Sequence, residues 1–214
     1  MSDMISMKNP EMCIKMRSGK IIKIELFHDI CPNSVNSIIY LAEKGLYNGR
    51  NFYRVVKDYL MMTDCNARKE FSNGCDFAIE GEYAANGYVK EMPLFEKGMV
   101  GMAGPYGGSS KISIASTFYI VMGNGHKLDG KYSVIGRIIE GLDEAERINE
   151  VKCKQARFIT ELFDADFNMP EEPEIMEEVI IETFGVNYPP PEIIAYPEDQ
   201  VMALKSLREF LDEE

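Results

Sequence analysis

A chain of 214 residues, 45% hydrophobic and 27% charged, is long enough to fold as one substantial domain around a buried core. Its formal net charge of −12 argues against a general nucleic-acid binder, because an anionic surface repels phosphates. The acid is concentrated: residues 161–214 carry 16 acidic side chains against Lys205 and Arg208, a net of −14, which leaves +2 over residues 1–160. That tail reads as a solvated face, with a basic partner or a self-contact as the alternative.

No window reaches the roughly 18 consecutive apolar residues of a membrane span. The first ten residues lack the basic start and apolar run of a secretory leader. The expected location is therefore the cytoplasm, with no membrane partner. Five cysteines, an odd number without any C-x-x-C pair, are the usage of a reducing compartment. Cys65 and Cys75 could share a metal only with further ligands, and His28 and His126 stand at no ligand spacing, so neither metal nor cofactor is expected.

In chain order, Met12, Ile14 and Met16 alternate with Cys13, Lys15 and Arg17, and beyond Ser18-Gly19 the alternation resumes at Ile22, Ile24 and Leu26. Period two on both sides of a tight turn predicts a β-hairpin. Pro32 suits the first turn of a helix, and Val35, Ile38, Ile39 and Ala42 come after it at helical spacing. Residues 52–56 and 59–63 predict a continuous or sharply bent pair of strands. Residues 64–91 are punctuated by Asn66, Asn73-Gly74, Gly81 and Asn86-Gly87 and predict mostly loop. Strands are expected at 99–103, 117–121 and 133–139, with a long Gly- and Ser-rich loop over 104–116. Leu142, Ala145, Ile148 and Val151 mark a second helix, with Asp143, Glu144 and Glu146 near the positive end of its dipole. An acidic connector over 164–174 leads to a last strand within 176–184. Pro189-Pro190-Pro191 predicts an extended segment, and Val201, Leu204, Leu207, Phe210 and Leu211 stripe a terminal amphipathic helix. Short strands with two widely spaced helices fit one mainly-β domain, a closed antiparallel barrel capped by helices.

An arginine within the strand-like run Asn51-Phe52-Tyr53-Arg54-Val55-Val56-Lys57-Asp58-Tyr59-Leu60-Met61-Met62 is, by type, most often solvent-facing or ion-paired. This run, succeeded by Ser116-Thr117-Phe118-Tyr119-Ile120-Val121 and by residues 128–138, Leu128-Asp129-Gly130-Lys131-Tyr132-Ser133-Val134-Ile135-Gly136-Arg137-Ile138, resembles the cyclophilins, a family of peptidyl-prolyl cis-trans isomerases. Residues 80–87 and 182–185 resemble bacterial members. The resemblance spans about residues 19–151. It implies a closed eight-stranded antiparallel barrel capped by two helices, here as a domain over residues 1–184 with a Pro-rich acidic extension over 185–214. It also implies action on proline-containing peptides or unfolded chains, without a cofactor.

Rotation about a peptide C–N bond is opposed by about 18–20 kcal/mol of lost resonance, and X–Pro exchange unaided takes on the order of tens to hundreds of seconds. A catalyst must hold the proline ring in an apolar pocket and offer a donor that favours the twisted amide. A guanidinium is suited to this, being permanently charged and presenting several donors in a rigid fork. By position in the resemblance, Arg54 is that donor. Tyr59, Leu60, Tyr119 and Leu128 form the proline pocket, Met62 and Tyr132 its rim, and Thr117 lines the groove. Ala103 and Gly104 present backbone groups, and Phe118 belongs to the core. The chain departs from the family pattern at Met62 and Thr117, where glutamines are usual, at Tyr119, usually Phe, and in the shortened Met102-Ala103-Gly104-Pro105. Lys127 stands where drug-sensitive members often place an indole, so weak cyclosporin binding is expected. A second reading is a proline-peptide-binding module or chaperone of low turnover on the same fold.

Overall fold

The computed structural model describes residues 8–66, 77–104, 111–159 and 164–213. Cys75, the Asn73-Gly74 turn signal and most of the Gly- and Ser-rich loop lie outside them. The predicted hairpin is present: β1 (Glu11–Met16) pairs with β2 (Ile21–Leu26). Met12, Ile14, Met16, Ile22, Ile24 and Leu26 all face inward and are fully buried. Gly19, at φ +82°, supplies the left-handed backbone that the turn requires. Helix α1 (Pro32–Glu43) begins with Pro32 in its first turn, where the absent N–H costs nothing. The N–H groups of Asn33 and Ser34 donate to the Glu82 carboxylate at 3.2 and 2.7 Å, so a distant glutamate caps the helix. Its inner face, Val35, Ile38 and Leu41, closes on the apolar side chains of β1 and β2.

The remaining elements are β3 (Phe52–Val56), β4 (Leu60–Thr63), β5 (Ala78–Glu80), β6 (Met99–Met102), β7 (Ile112–Ile114), β8 (Phe118–Val121), β9 (Val134–Glu140), α2 (Leu142–Asn149), β10 (Cys153–Ile159), β11 (Asp164–Pro170), β12 (Met176–Glu182) and α3 (Glu198–Glu213). Eight strands form one sheet in the order β12-β1-β2-β9-β6-β8-β4-β3, each neighbouring pair antiparallel. The curled sheet is an open half-barrel. Its two edge strands approach at the single bridge Asn51–Ile175, with Phe52 N–H donating to Glu174 O at 3.2 Å and Met176 N–H to Arg50 O at 2.7 Å. The edges touch only where β3 and β12 begin, so the fully closed ladder expected from sequence is not formed.

Two further expectations are corrected. Residues 78–80 and 112–114, read as loop, pair as the small β5–β7 sheet. The acidic connector is a strand: β11 pairs with β10 from Cys153–Pro170 to Ile159–Asp164 and packs over β3. The terminal amphipathic helix expected in the extension is present as α3, which brings the α-helices among the described residues to three. There α3 lies on the body of the protein, with Leu204 against Ala78 and Ile114, and Leu207 in a second apolar cluster. The extension also pairs with β5 through the Ala78–Ile194 bridge.

The sheet thus separates two apolar layers. Phe52, Val55, Met61, Phe118 and Ile120 point into the concave core with α1. Tyr53, Leu60, Met62, Tyr119 and Val121 point the other way, into a cluster completed by the β10–β11 hairpin and α3. Burial of each large side chain contributes about 1.5–3 kcal/mol. The second layer is therefore a substantial stabilising element as well as the face on which the predicted site lies. None of the described helices is long and apolar enough to cross a membrane.

Candidate active site

Strict alternation along β3 would place Arg54 on the same face as Phe52, inside the core. A β-bulge prevents this. Phe52 pairs with Thr63 and Arg54 with Met62, so two steps on β3 oppose one on β4 and Tyr53 is the extra residue. One inserted residue reverses the facing of the residues beyond it, and Arg54 emerges on the outer face directly across from Met62. Met62 in turn pairs with Tyr119 on β8. Three side chains from three adjacent strands therefore form a row: Arg54, Met62, Tyr119.

The other predicted pocket residues gather around that row. Leu60 lies two residues from Met62 on the same strand face, and Tyr59, Ala103, Leu128 and Tyr132 join the same apolar cluster. Tyr132 meets Tyr119 edge-on, with ring centroids 6.1 Å apart. Leu60, Met62 and Tyr119 are buried, whereas Tyr59, Leu128 and Tyr132 are half-buried and form the accessible edge. Thr117 is buried beside Ser116, their hydroxyls 3.5 Å apart. Phe118 faces the core, as expected. Ala103 has both backbone groups engaged: its N–H donates to Thr117 O and its carbonyl accepts from Ile114 N–H, each at 2.9 Å. It is thus tied into the fold, and Gly104 comes next against the Tyr132 ring, where an added Cβ would lie 3.3 Å from Tyr132 Cε1.

Tyr59 is held from below. The Asn149 side chain at the end of α2 accepts from Asp58 N–H at 2.8 Å and donates to Val56 O at 3.1 Å, and Met122 N–H donates to Tyr59 O at 2.7 Å. The β3–β4 turn is thereby fixed from both sides. Burial pushes the Tyr59 hydroxyl pKa up, with neighbouring Tyr132 adding to the rise and the Arg54 cation opposing it. Burial, with Tyr132 and Tyr59 nearby, holds Tyr119 well above the ordinary phenol range. Both phenols stay neutral near pH 7, so the pocket is apolar with the Arg54 cation at its border.

The Arg54 guanidinium carbon lies 5.6 Å from the centroid of the Phe167 ring. Its Nε is buried and has no hydrogen-bond partner among the described residues. Phe167 was not among the residues anticipated from sequence, nor were Phe158 and Phe95 of the same cluster, and Phe210 was anticipated only on the stripe of the terminal helix. Phe167 lies on β11, in the stretch read as a connector, and Phe158 on β10, for which no element was expected. The available signal was the alternation of Phe167 and Met169 with Asp166 and Asn168.

A cation set at the border of a buried aromatic pocket, on the convex face of an eight-stranded antiparallel half-barrel, defines a site that can bind an apolar ring and donate hydrogen bonds beside it. Comparison places this class. The family model described as cyclophilin type peptidyl-prolyl cis-trans isomerase/CLD matches residues 12–166, and the chain belongs to that family. It is 29% identical over 143 residues to a probable peptidyl-prolyl cis-trans isomerase of Brucella suis, covering 64% of this chain and 70% of that one. It is 30% identical over 131 residues to peptidyl-prolyl cis-trans isomerase 10 of Caenorhabditis elegans, covering 61% and 77%. Among solved structures, a cyclophilin type peptidyl-prolyl cis-trans isomerase of Cryptosporidium parvum, crystallised in the presence of the dipeptide Ala-Pro, superposes with a TM-score of 0.62 at 18% identity, over 80% of this chain and 98% of that one. The cyclophilin AquaCyp293 of Hirschia baltica gives 0.54 at 20% identity, over 79% and 73%.

Proposed function

We propose that this chain accelerates cis–trans isomerisation of X–Pro bonds in flexible or unfolded protein segments, with Arg54 as the electrostatic catalyst. The observation that carries this is the bulge at Tyr53, which delivers Arg54 to the face shared by Met62 and Tyr119. The prolyl ring enters between Tyr59, Leu60, Leu128 and Tyr132, with Tyr119 as the floor. As the amide twists, its nitrogen loses resonance, becomes pyramidal and gains a lone pair. A guanidinium fixed beside it donates to that nitrogen and stabilises the twisted state more than either planar isomer. No bond is made or broken, so neither nucleophile nor cofactor is required. Gly104 and Thr117 border the path of the chain preceding proline. Cys13, Cys31 and Cys153 are free thiols, which suits action in a reducing compartment such as the cytoplasm.

The second reading, a proline-peptide binder of low turnover, draws support from Met62, whose thioether cannot anchor a substrate carbonyl as an amide would. One experiment decides between them. The isomerisation rate of an Ala-Xaa-Pro-Phe peptide is measured by a protease-coupled assay and by NMR exchange, with wild type and Arg54→Ala. The expected result is a rate well above background for wild type and a loss of about 10²-fold in the variant, the magnitude typical of removing one transition-state donor. Peptide binding with no rate above background would establish the binder instead, and an unchanged rate in Arg54→Ala would remove the mechanism.

A further inference from the structure

We infer that Phe167, carried on the β10–β11 hairpin, is a positioning residue for Arg54: its ring holds the guanidinium in the orientation that the isomerisation step needs. The inference rests on the proposed activity and assigns a role to a residue just past the family match, which ends at residue 166.

A guanidinium is useful in catalysis only if its plane is fixed before the substrate arrives. Arginine has four side-chain torsions, and a cation on a strand surface samples many of them unless something restrains it. Directly across the ladder from Arg54 stands Met62. A thioether is a weak acceptor and cannot fix the buried Nε, which has no hydrogen-bond partner among the described residues. The restraint comes from the opposite side. Strand β11 packs over β3, and Phe167, fully buried, stands with its ring centroid 5.6 Å from the Arg54 guanidinium carbon. Attraction between a guanidinium and an aromatic face is directional and strengthens when water is excluded.

Phe167 is itself immobilised by aromatic neighbours: Tyr53 at 6.1 Å, Phe158 at 6.4 Å and Phe210 of α3 at 6.1 Å between ring centroids. A rigid ring therefore backs a cation that the β-ladder leaves unanchored. The buried Nε–H of Arg54 has no acceptor among the described residues, so it is the ring, and not a hydrogen bond at Nε, that restricts the direction in which the guanidinium fork points. The hairpin is a second wall of the site, facing the pocket formed by the sheet.

Three measurements on the full-length protein test this. The first needs neither a stability comparison nor activity: the Arg54 Nε–H resonance in a 15N spectrum, assigned by its loss in Arg54→Lys, is expected to be ring-current shifted and slow to exchange with water. A signal at the ordinary arginine position in rapid exchange would overturn the inference whether or not the protein is an isomerase. The second is kinetic. Phe167→Leu is expected to lower kcat about tenfold with KM changed less than threefold, and Phe167→Tyr, which keeps the ring face, to retain at least half the wild-type kcat. If Phe167→Leu does not fold by circular dichroism, Phe167→Met, similar in volume to leucine but unbranched and better able to fill an irregular gap without a ring, is read in its place. The third is rescue: Met62→Gln places an amide acceptor across from Arg54, and in the Phe167→Leu background it is expected to recover severalfold in kcat. Loss confined to thermal stability or to KM, or no recovery when M62Q is added, would reduce Phe167 to a packing residue. An inactive wild type would refute the proposed function while the Nε–H signal still decides the positioning role.

Discussion

The phenol oxygen of Tyr119 occupies the space that a side chain on Gly101 would need: a Cβ built there would lie 2.5 Å from Tyr119 Oη and 2.7 Å from Phe95 Cε1. Glycine on β6 is thus what admits the Tyr119 ring to the floor of the pocket, since Tyr119 Cζ would lie equally close, at 2.5 Å. The accommodation is steric only. Tyr119 Oη is buried and has no hydrogen-bond partner among the described residues, and a desolvated hydroxyl without a partner costs about 1–3 kcal/mol. Tyr119→Phe is therefore expected to stabilise the protein by about 1 kcal/mol, read as a raised midpoint of urea unfolding at constant slope. A lowered midpoint would mean that the hydroxyl is paired. Gly101→Ala should cost about 1–3 kcal/mol through overpacking.

Asn149 connects α2 to the turn that presents Tyr59. Its amide makes two hydrogen bonds, to Asp58 N–H and Val56 O, and the side chain is buried. Asn149→Ala leaves both backbone groups without their partner, which should destabilise the fold by about 1–3 kcal/mol. Because the released turn carries one wall of the pocket, KM for a proline peptide should rise severalfold, with a smaller effect on kcat. Unfolding curves and Michaelis profiles on the same preparation check both halves. A variant as stable as wild type would show that Met122 and Tyr59 alone hold the turn.

The elements that patterning foretold are those whose two faces differ plainly in polarity. The β1–β2 hairpin alternates Met12, Ile14 and Met16 with Cys13, Lys15 and Arg17, and α1 stripes Val35, Ile38 and Ala42 beyond Pro32. The β10–β11 hairpin was illegible because Phe167 and Met169 are separated by Asp166 and Asn168 within an acidic stretch. Net charge there obscured a period-two pattern whose polar half faces solvent. The site was legible as a set of residue types in order, through its family resemblance, but the facing of Arg54 was not. Counting from Phe52 puts it in the core, and only the bulge at Tyr53 turns it outward. A bulge has no hydrophobic signature, since Phe52 and Tyr53 are both apolar and both buried.

Lys127 lies exposed on the short 3-10 turn His126–Leu128 at the accessible edge of the pocket, and the chain has no tryptophan. An ammonium there offers neither the flat apolar area nor the N–H that an indole presents to a large cyclic peptide. Weak cyclosporin binding is the expected result of calorimetry, with Lys127→Trp tightening it about tenfold or more. A sub-micromolar Kd for the unaltered protein would contradict this account of the pocket edge.

Glu144 joins three parts of the fold far from the pocket. Its carboxylate accepts from Ser18 Oγ at 2.6 Å in the β1–β2 turn and from Arg147 Nη2 at 2.8 Å, and Arg147 continues to Glu174, just before β12, at 2.6 Å. The hydrogen bond from Arg147 holds the Glu144 pKa below its ordinary value of 4.5, against the opposing effect of burial. The folded state therefore binds this proton less readily than the unfolded chain does. The stabilisation is complete above the ordinary carboxylate range and is lost as pH falls below about 4.5 through the folded value. Glu144→Gln should accordingly melt below wild type at pH 7, and the gap in Tm should narrow as pH is lowered from 5 towards about 3, where wild type has itself become protonated at this position. A gap as wide in acid as at neutrality would mean that Glu144 acts by shape and hydrogen bonding to Ser18, and not through its charge.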